Sequence, residues 1–208
     1  MYLPPAFRQD RTDVLHDAIR KAGLATLVTL TPEGLIASHI PLLLDPDPAP
    51  YGTLTGHLAR PNAQARGATG DALAIFLGPD AYITPSWYET KRETGKVVPT
   101  WNYVAIHAAG PITFFNDPDR LLDVVTRLTE RHEGTRAAPW AVSDAPADFV
   151  QTMLKGIVGF SIQITRLEGK WKMSQNRPEV DRAGVAAGLA AEGQREVAVL
   201  VAEAAAGS

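Results

Sequence analysis

Residues 24–44 read LATLVTLTPEGLIASHIPLLL. Two runs of aliphatic and β-branched side chains, Leu24–Leu30 and Leu35–Leu44, flank Thr31-Pro32-Glu33-Gly34. Such runs favour strands, and a short break carrying Pro and Gly folds them into an antiparallel hairpin. Upstream, Thr12 or Asp13 caps a predicted helix with Leu15, Ala18, Ile19 and Ala22 on one face, ended by Gly23. Downstream, Asp45-Pro46-Asp47-Pro48-Ala49-Pro50 cannot sustain a ladder and reads as an exposed loop. Thr53–Leu58 and Ala72–Leu77 are further strands, separated by a polar segment around Pro61–Gly70. Asn102–Phe115 predicts a long strand or a bulged pair, interrupted at Gly110-Pro111.

Asp117-Pro118 is a helix start, since Pro at the first helical position gives up a donor that has no partner anyway. Leu121, Leu122, Val125 and Leu128 line one face of that helix. A second helix is predicted over Ala147–Lys155 with Phe149 and Met153 inward, then a last strand, Ile157–Leu167, containing Gly159. The Ala-rich tail from about Pro178 reads as helical. Strands that do not alternate regularly with helices argue against a doubly wound parallel sheet. They predict an α+β domain, mainly β, around a small antiparallel barrel.

The 208 residues carry no cysteine and a formal net charge of −3. Disulfides, zinc-thiolate sites and cysteine-ligated clusters are excluded. The charge gives no support to direct DNA binding, which usually goes with a basic face. Met1–Asp10 lacks a basic-then-apolar leader, and runs such as Ile40–Leu44 are too short to span a bilayer, so the expectation is a soluble, cytoplasmic protein away from membranes.

Three segments concentrate chemistry. In Gly56-His57-Leu58-Ala59-Arg60-Pro61-Asn62, alternation places Thr53, Thr55 and His57 on one strand face and Arg60 and Asn62 at its mouth. Arg beside His and Asn suits a phosphate, or is a strand end with a surface Arg. Residues 82–103 hold three of the five tyrosines and two of the four tryptophans, interleaved with prolines and hydroxyls. Rings spaced in this way suit a flat aromatic ligand or a subunit interface, or plug a barrel end. The third segment, residues 169–177, GKWKMSQNR, sets two Lys, one Arg and two amides around a Trp. It reads as a loop for an anionic ligand, with nucleic acid as the alternative.

His39, His57 and His107 lie on predicted strands, but no H-x-H, H-x-x-x-H or Glu partner at ligand spacing accompanies them, so no metal site is assigned. No G-x-G-x-x-G, Walker loop or G-x-S-x-G elbow is present, which argues against Rossmann dehydrogenases, P-loop NTPases and serine hydrolases of the usual kind. No helix-turn-helix stands out.

The stretches MYLPPAF, SHIPLLL, GHLARPN, IFLGPDAYITPSWY, VPTWNY, LTERHE, SDAP, IVGFSI, GKWKMSQNR and DRAG occur in this order between residues 1 and 189. In them the chain resembles the PaiB-type negative transcriptional regulators of the FMN-binding split-barrel group. Ser38 before His39 and Thr84 are mild departures, each keeping a small polar residue. The resemblance implies a six-stranded antiparallel split β-barrel with flanking helices over residues 1–177, and a helical, Ala-rich extension over 178–208. It also implies a homodimer with flavin at the subunit interface. The cofactor-binding positions implied are His39, His57, Arg60, Asn62, Ser86, Trp87, Tyr88, Thr100, Trp101 and Asn102. Lys170, Lys172, Gln175 and Asn176 would close the site, from the partner chain.

The leading expectation is therefore an FMN-binding protein whose cofactor supplies any redox chemistry; enzymatic activity, if present, would be FMN-dependent oxidoreduction without an assigned catalytic residue. One alternative is haem binding or haem degradation through His39, His57 or His107. Another is a cofactor-free regulator acting through a protein partner.

Overall fold

The computed structural model describes residues 1–206. In chain order the strands are β1 (Arg8–Gln9), β2 (Ala25–Thr31), β3 (Gly34–Ile40), β4 (Leu43–Asp45), β5 (Thr53–Ala59), β6 (Thr69–Ile83), β7 (Thr100–Phe115), β8 (Ile157–Gln163) and β9 (Arg166–Lys172). The helices are α1 (Thr12–Lys21), α2 (Gln64–Gly67), α3 (Glu89–Thr94), α4 (Pro118–Glu133), α5 (Ala147–Leu154), α6 (Glu179–Ala191) and α7 (Arg195–Ala206). The strands form one sheet in the order β3-β2-β6-β7-β8-β5-β4, with β9 pairing β1 and β7. Every pair of defined register is antiparallel. The fold is thus α+β with a large antiparallel sheet and flanking helices, and among the described residues it has nine strands rather than the expected six.

The extra strands have local causes. Pro41 has no N–H to give a ladder, so the predicted run Leu35–Leu44 breaks into β3 and β4. The 169–177 segment, expected as a loop, begins as β9, and Arg8–Gln9 pairs with it, Arg8 opposite Lys170. Conversely, β6 does not stop at Leu77. It continues through Gly78-Pro79 to Ile83 because Gly78 admits Val104, whose Cβ would lie 2.9 Å from a Cβ added there. β7 likewise passes Gly110-Pro111 without interruption.

The chain divides into two units. The second comprises Thr12–Phe76 and His107–Leu167. Its hairpin β2–β3 turns where expected, with Thr31 opposite Gly34, and Gly34 takes the positive φ of 113° that the turn requires. Leu27, Leu54, Phe160 and Ile162 are fully buried. α4 lays Val124 and Leu128 on Leu43 and Phe115. Its N-cap is the predicted Asp117, whose Oδ1 accepts the Arg120 N–H at 2.8 Å. α1 buries Leu15 and Ile19 as predicted, and also His16, which hydrogen-bonds the Tyr51 carbonyl at 3.0 Å. The inward face predicted for α5 is not observed: Phe149 and Met153 are 54% and 52% exposed, and only Leu154 is buried. Their i,i+4 spacing fixes a common face, but this eight-residue helix turns that face to solvent.

The first unit comprises Met1–Arg11, Leu77–Ile106 and the chain from Glu168 onward. Its core joins Ile83, Tyr88, Val104 and Met173 to Val185, Leu189, Val197 and Val201 of α6 and α7. The Ala-rich tail is therefore helical as predicted up to Ala206, with residues 207–208 of the predicted extension outside the described residues, and it is packed. Small residues permit this. A Cβ at Gly184 would lie 2.1 Å from the Trp87 carbonyl, and one at Gly188 would lie 2.4 Å from the Trp87 ring.

Candidate functional site

In the first unit, β-alternation brings rings and cations to one face. Tyr82 and Trp101 meet edge to face, with ring centroids 6.1 Å apart, and are 49% and 53% exposed. The Lys170 ammonium lies 5.1 Å from the Tyr103 ring centroid and 5.6 Å from that of Tyr2, and donates to the Tyr2 carbonyl at 3.1 Å. Lys172 donates to the Thr100 hydroxyl and to the Trp101 carbonyl. Both partners are neutral, so its charge is uncompensated. Burial lowers the Lys172 pKa, and the like charges of Lys170 and Arg177 lower it further.

Beside this face is a cleft of about 220 Å³ lined by Val98, Pro99, Thr100, Asn102, Lys172, Ser174, Asn176 and Arg177. Asn102 is fully buried; its Nδ2 donates to Ser174 Oγ at 3.0 Å, and the Ser174 hydroxyl donates to Asn102 Oδ1 at 3.2 Å. That lock matters because Ser174 has φ 63°, the one positive φ at a non-glycine among the described residues. A left-handed conformation costs a side-chain-bearing residue about 1–2 kcal/mol, so surrounding contacts must impose it. Gln175 helps. Its Oε1 accepts the Met173 N–H at 2.7 Å and its Nε2 donates to the Trp171 carbonyl at 2.6 Å. Its amide is thereby engaged in shaping the turn.

The remaining candidates of this unit have other surroundings. Trp87 packs beneath α6 at Gly184 and Gly188. Tyr88 is buried, with the Arg177 guanidinium 4.6 Å above its ring. Burial raises the Tyr88 pKa, and Arg177 partly offsets this. Ser86 is exposed on a 3-10 turn over Pro85–Trp87, where its hydroxyl accepts from Lys91 at 3.2 Å. Ser174 and Arg177 sit inside the 169–177 motif but were not among the flavin-binding positions that the resemblance implied. Their signal was there: a second cation and a hydroxyl interleaved with Lys172 and Asn176.

In the second unit, Arg60 donates from Nε to the Lys155 carbonyl at 2.7 Å, from Nη2 to the Ile157 carbonyl at 2.6 Å, and from Nη1 to Asn116 at 2.9 Å. These acceptors are neutral and take three of the five guanidinium N–H groups, leaving two for an anion. Asn62 donates to Ser38 at 2.9 Å and accepts the Gln64 N–H at 2.9 Å. His39 is exposed, its Nδ1 3.0 Å from the Thr26 hydroxyl. His57 keeps a buried Nδ1 without a partner, and burial lowers its pKa. The sign follows: the unfolded chain, with an ordinary histidine near 6.5, binds this proton more readily, so stability falls as pH drops below about 6.5. In thermal melts, the difference between wild type and His57→Gln should shift toward the variant from about pH 7.5 to about pH 5.5. A pH-independent difference would remove the assignment of a lowered His57 pKa.

Among the described residues no helix is long and apolar enough to cross a membrane. Residues 1–166 match the family model described as "Putative FMN-binding domain". The chain is 34% identical over 187 residues to the protease synthase and sporulation protein PAI 2 of Bacillus subtilis, covering 89% of this chain and 87% of that protein. Among solved structures it is similar to a conserved hypothetical protein of Mycobacterium tuberculosis, with a TM-score of 0.60, 14% identity and coverage of 86% and 95%. It is also similar to an FAD and heme binding protein of Mycobacterium smegmatis, with a TM-score of 0.57, 16% identity and coverage of 79% and 73%. The likeness to the two structures is one of fold.

Proposed function

This chain belongs to the FMN-binding-domain family, and from that membership we propose that it is a cytoplasmic flavoprotein holding FMN, with the PaiB-type split barrel elaborated to nine strands. The observation that carries the reading is the exposed Tyr82–Trp101 pair on a strand face beside Lys170 and Lys172. Amphipathic rings give a planar heterocycle a stacking surface, and the Lys170 ammonium can stabilise a ring system that becomes anionic on reduction. The residues fit the cofactor chemically. Bound FMN would supply the electron transfer; the protein would orient it and supply the field. Arg60, with two N–H groups uncommitted, and His57 and Asn62 of the same segment are proposed as phosphate contacts across the subunit interface, with Ser86 as a supporting hydroxyl.

We also take the working form to be a homodimer. β3 ends the sheet order, Gly34–Ile40 carries no charge, and its Leu35 is 76% exposed. Uncharged apolar edges of this kind are covered in stable proteins.

The test is a visible-absorbance titration of the purified protein with FMN and with riboflavin, with mass in solution measured on the same sample. Trp101→Ala should weaken both flavins by roughly tenfold, as expected for a lost ring contact. Arg60→Ala should weaken FMN by about tenfold or more and leave riboflavin unchanged, since only FMN carries the phosphate. No flavin uptake by the wild-type protein, or a monomer at every concentration, would defeat the corresponding part of the proposal. A second reading, haem binding, has one observation in its favour: burial lowers the His57 pKa, which favours the neutral imidazole that ligates iron. A Soret band on haem titration that vanishes in His57→Ala would favour it over flavin.

A further inference from the structure

We propose that the cleft between Lys172 and Arg177 binds a second anion, the phosphate group of a small molecule that serves as reaction partner of the bound flavin. Naming the ligand as flavin's partner rests on the flavoprotein reading; the anion site itself rests on geometry alone.

Three observations converge on it. The first is charge. Among the described residues, neither Lys172 nor Arg177 has a carboxylate within ion-pair distance, although the chain as a whole has more acidic than basic side chains. Lys172 meets only a hydroxyl and a carbonyl, and Arg177 lies over the Tyr88 ring. Two cations converging on one small space without a counter-charge repel each other, and folding tolerates this at sites that an anion fills. A phosphate monoester, carrying about −1.5 to −2 charges at neutral pH, neutralises the pair where a carboxylate would leave one charge over.

The second observation is size. The cleft holds about 220 Å³, below the roughly 300–1,000 Å³ of pockets that enclose a whole ligand. It suits a phosphate group with its first carbons against Val98 and Pro99, and it does not suit a tricyclic flavin ring. The third is construction. Ser174 is held at a positive φ by its reciprocal bonds with buried Asn102, and Gln175 fastens the turn on either side. Backbone strain of this sort persists where surrounding structure fixes it, and it characteristically marks ligand clamps. The strained turn sets the direction in which Asn176 and Arg177 leave the strand, and both line the cleft.

The experiment is calorimetric titration of the full chain with inorganic phosphate, with and without saturating FMN, for wild type, Arg177→Gln and Arg177→Lys. The expected result is one phosphate per chain in the presence of FMN. Binding should be roughly tenfold or more weaker in Arg177→Gln and partly restored in Arg177→Lys, with FMN affinity unchanged throughout. Far-UV circular dichroism of each variant guards against simple unfolding; a variant that unfolds is replaced by Asn176→Ala, which removes an exposed donor from the same cleft and should also weaken phosphate. Absence of phosphate binding in wild type, or binding indifferent to both positions, overturns the proposal. Competition between phosphate and FMN, with FMN weakened in Arg177→Gln, also overturns it, because the cleft would then hold the flavin's own phosphate. Arg177-dependent phosphate binding in a protein that takes up no flavin would uphold the anion site while defeating the flavoprotein reading.

Discussion

Gly110→Ala is expected to lose about 3 kcal/mol of stability or more, and to melt roughly 6–12 °C below wild type. A Cβ at this position would sit 1.9 Å from the Gln163 carbonyl oxygen and 3.2 Å from the Thr165 nitrogen. All of the obstructing atoms are backbone. They cannot swing aside as a side-chain end can, and they are fixed by their own bonds: Thr165 N–H donates to the Ala109 carbonyl at 2.9 Å. The added methyl must therefore part β7 from the end of β8, or bend β7 at the residue before Pro111. Either change strains the sheet across half-buried Ile112 opposite fully buried Ile162. Thermal melting followed by circular dichroism measures the effect, and a fall of less than about 2 °C would mean that the close approach is not maintained in solution. Gly159→Ala makes a useful contrast. Its Cβ would lie 2.2 Å from the Phe115 ring, a side chain that can rotate, so a smaller loss is expected there.

The second large effect is predicted for Gln64→Leu, at about 2 kcal/mol or a fall of roughly 4–8 °C in melting temperature. Gln64 is fully buried on the short helix α2, and its Nε2 faces the Leu27 carbonyl at 3.2 Å, the Thr29 hydroxyl at 3.0 Å and the Ile36 carbonyl at 3.1 Å. One amide thus ties both strands of the β2–β3 hairpin to the segment that carries Arg60 and Asn62. Leucine fills nearly the same volume but supplies no donor. The orphaned acceptors cost about 1 kcal/mol or more each. Part of that loss is offset because Gln64 Oε1, itself buried and without a partner, is removed as well. Amide exchange should therefore quicken in β2 and β3 before it does in β5 and β8. Uniform acceleration, or none, would contradict the tie.

These two positions show where the sequence could be read and where it could not. The β2–β3 hairpin, the strand at Thr53, the Asp117 cap and the helical tail were all legible, because each depends on neighbours within a few residues: alternation, a proline, a capping carboxylate. Gln64 was passed over inside a polar segment, since nothing local distinguishes a glutamine that faces water from one that faces three buried acceptors. Phe149 and Met153 erred in the other direction. Periodicity specifies which side chains share a face, but only a covering element decides whether that face is buried.

The candidate site divides in the same way. Composition alone located the three segments, since Arg with His and Asn, closely spaced rings, and a Lys-Trp-Lys-Met-Ser-Gln-Asn-Arg run are uncommon in a chain of net charge −3. What each side chain does within them was not contained in composition. Trp87 is committed to the α6 glycines, Gln175 to its own turn and three of the Arg60 donors to Asn116 and two carbonyls, while among the described residues Lys172 and Arg177 have no carboxylate within ion-pair distance. By itself the sequence determined the antiparallel α+β character, the starts of α4, α5 and α6 and the family, because short-range geometry and a run of ordered motifs are written in consecutive residues. The nine-strand pairing, the packing of the Ala-rich tail and the uncompensated cleft were decided by tertiary structure. They depend on which distant backbone or charge arrives opposite, a matter settled only when the chain closes on itself.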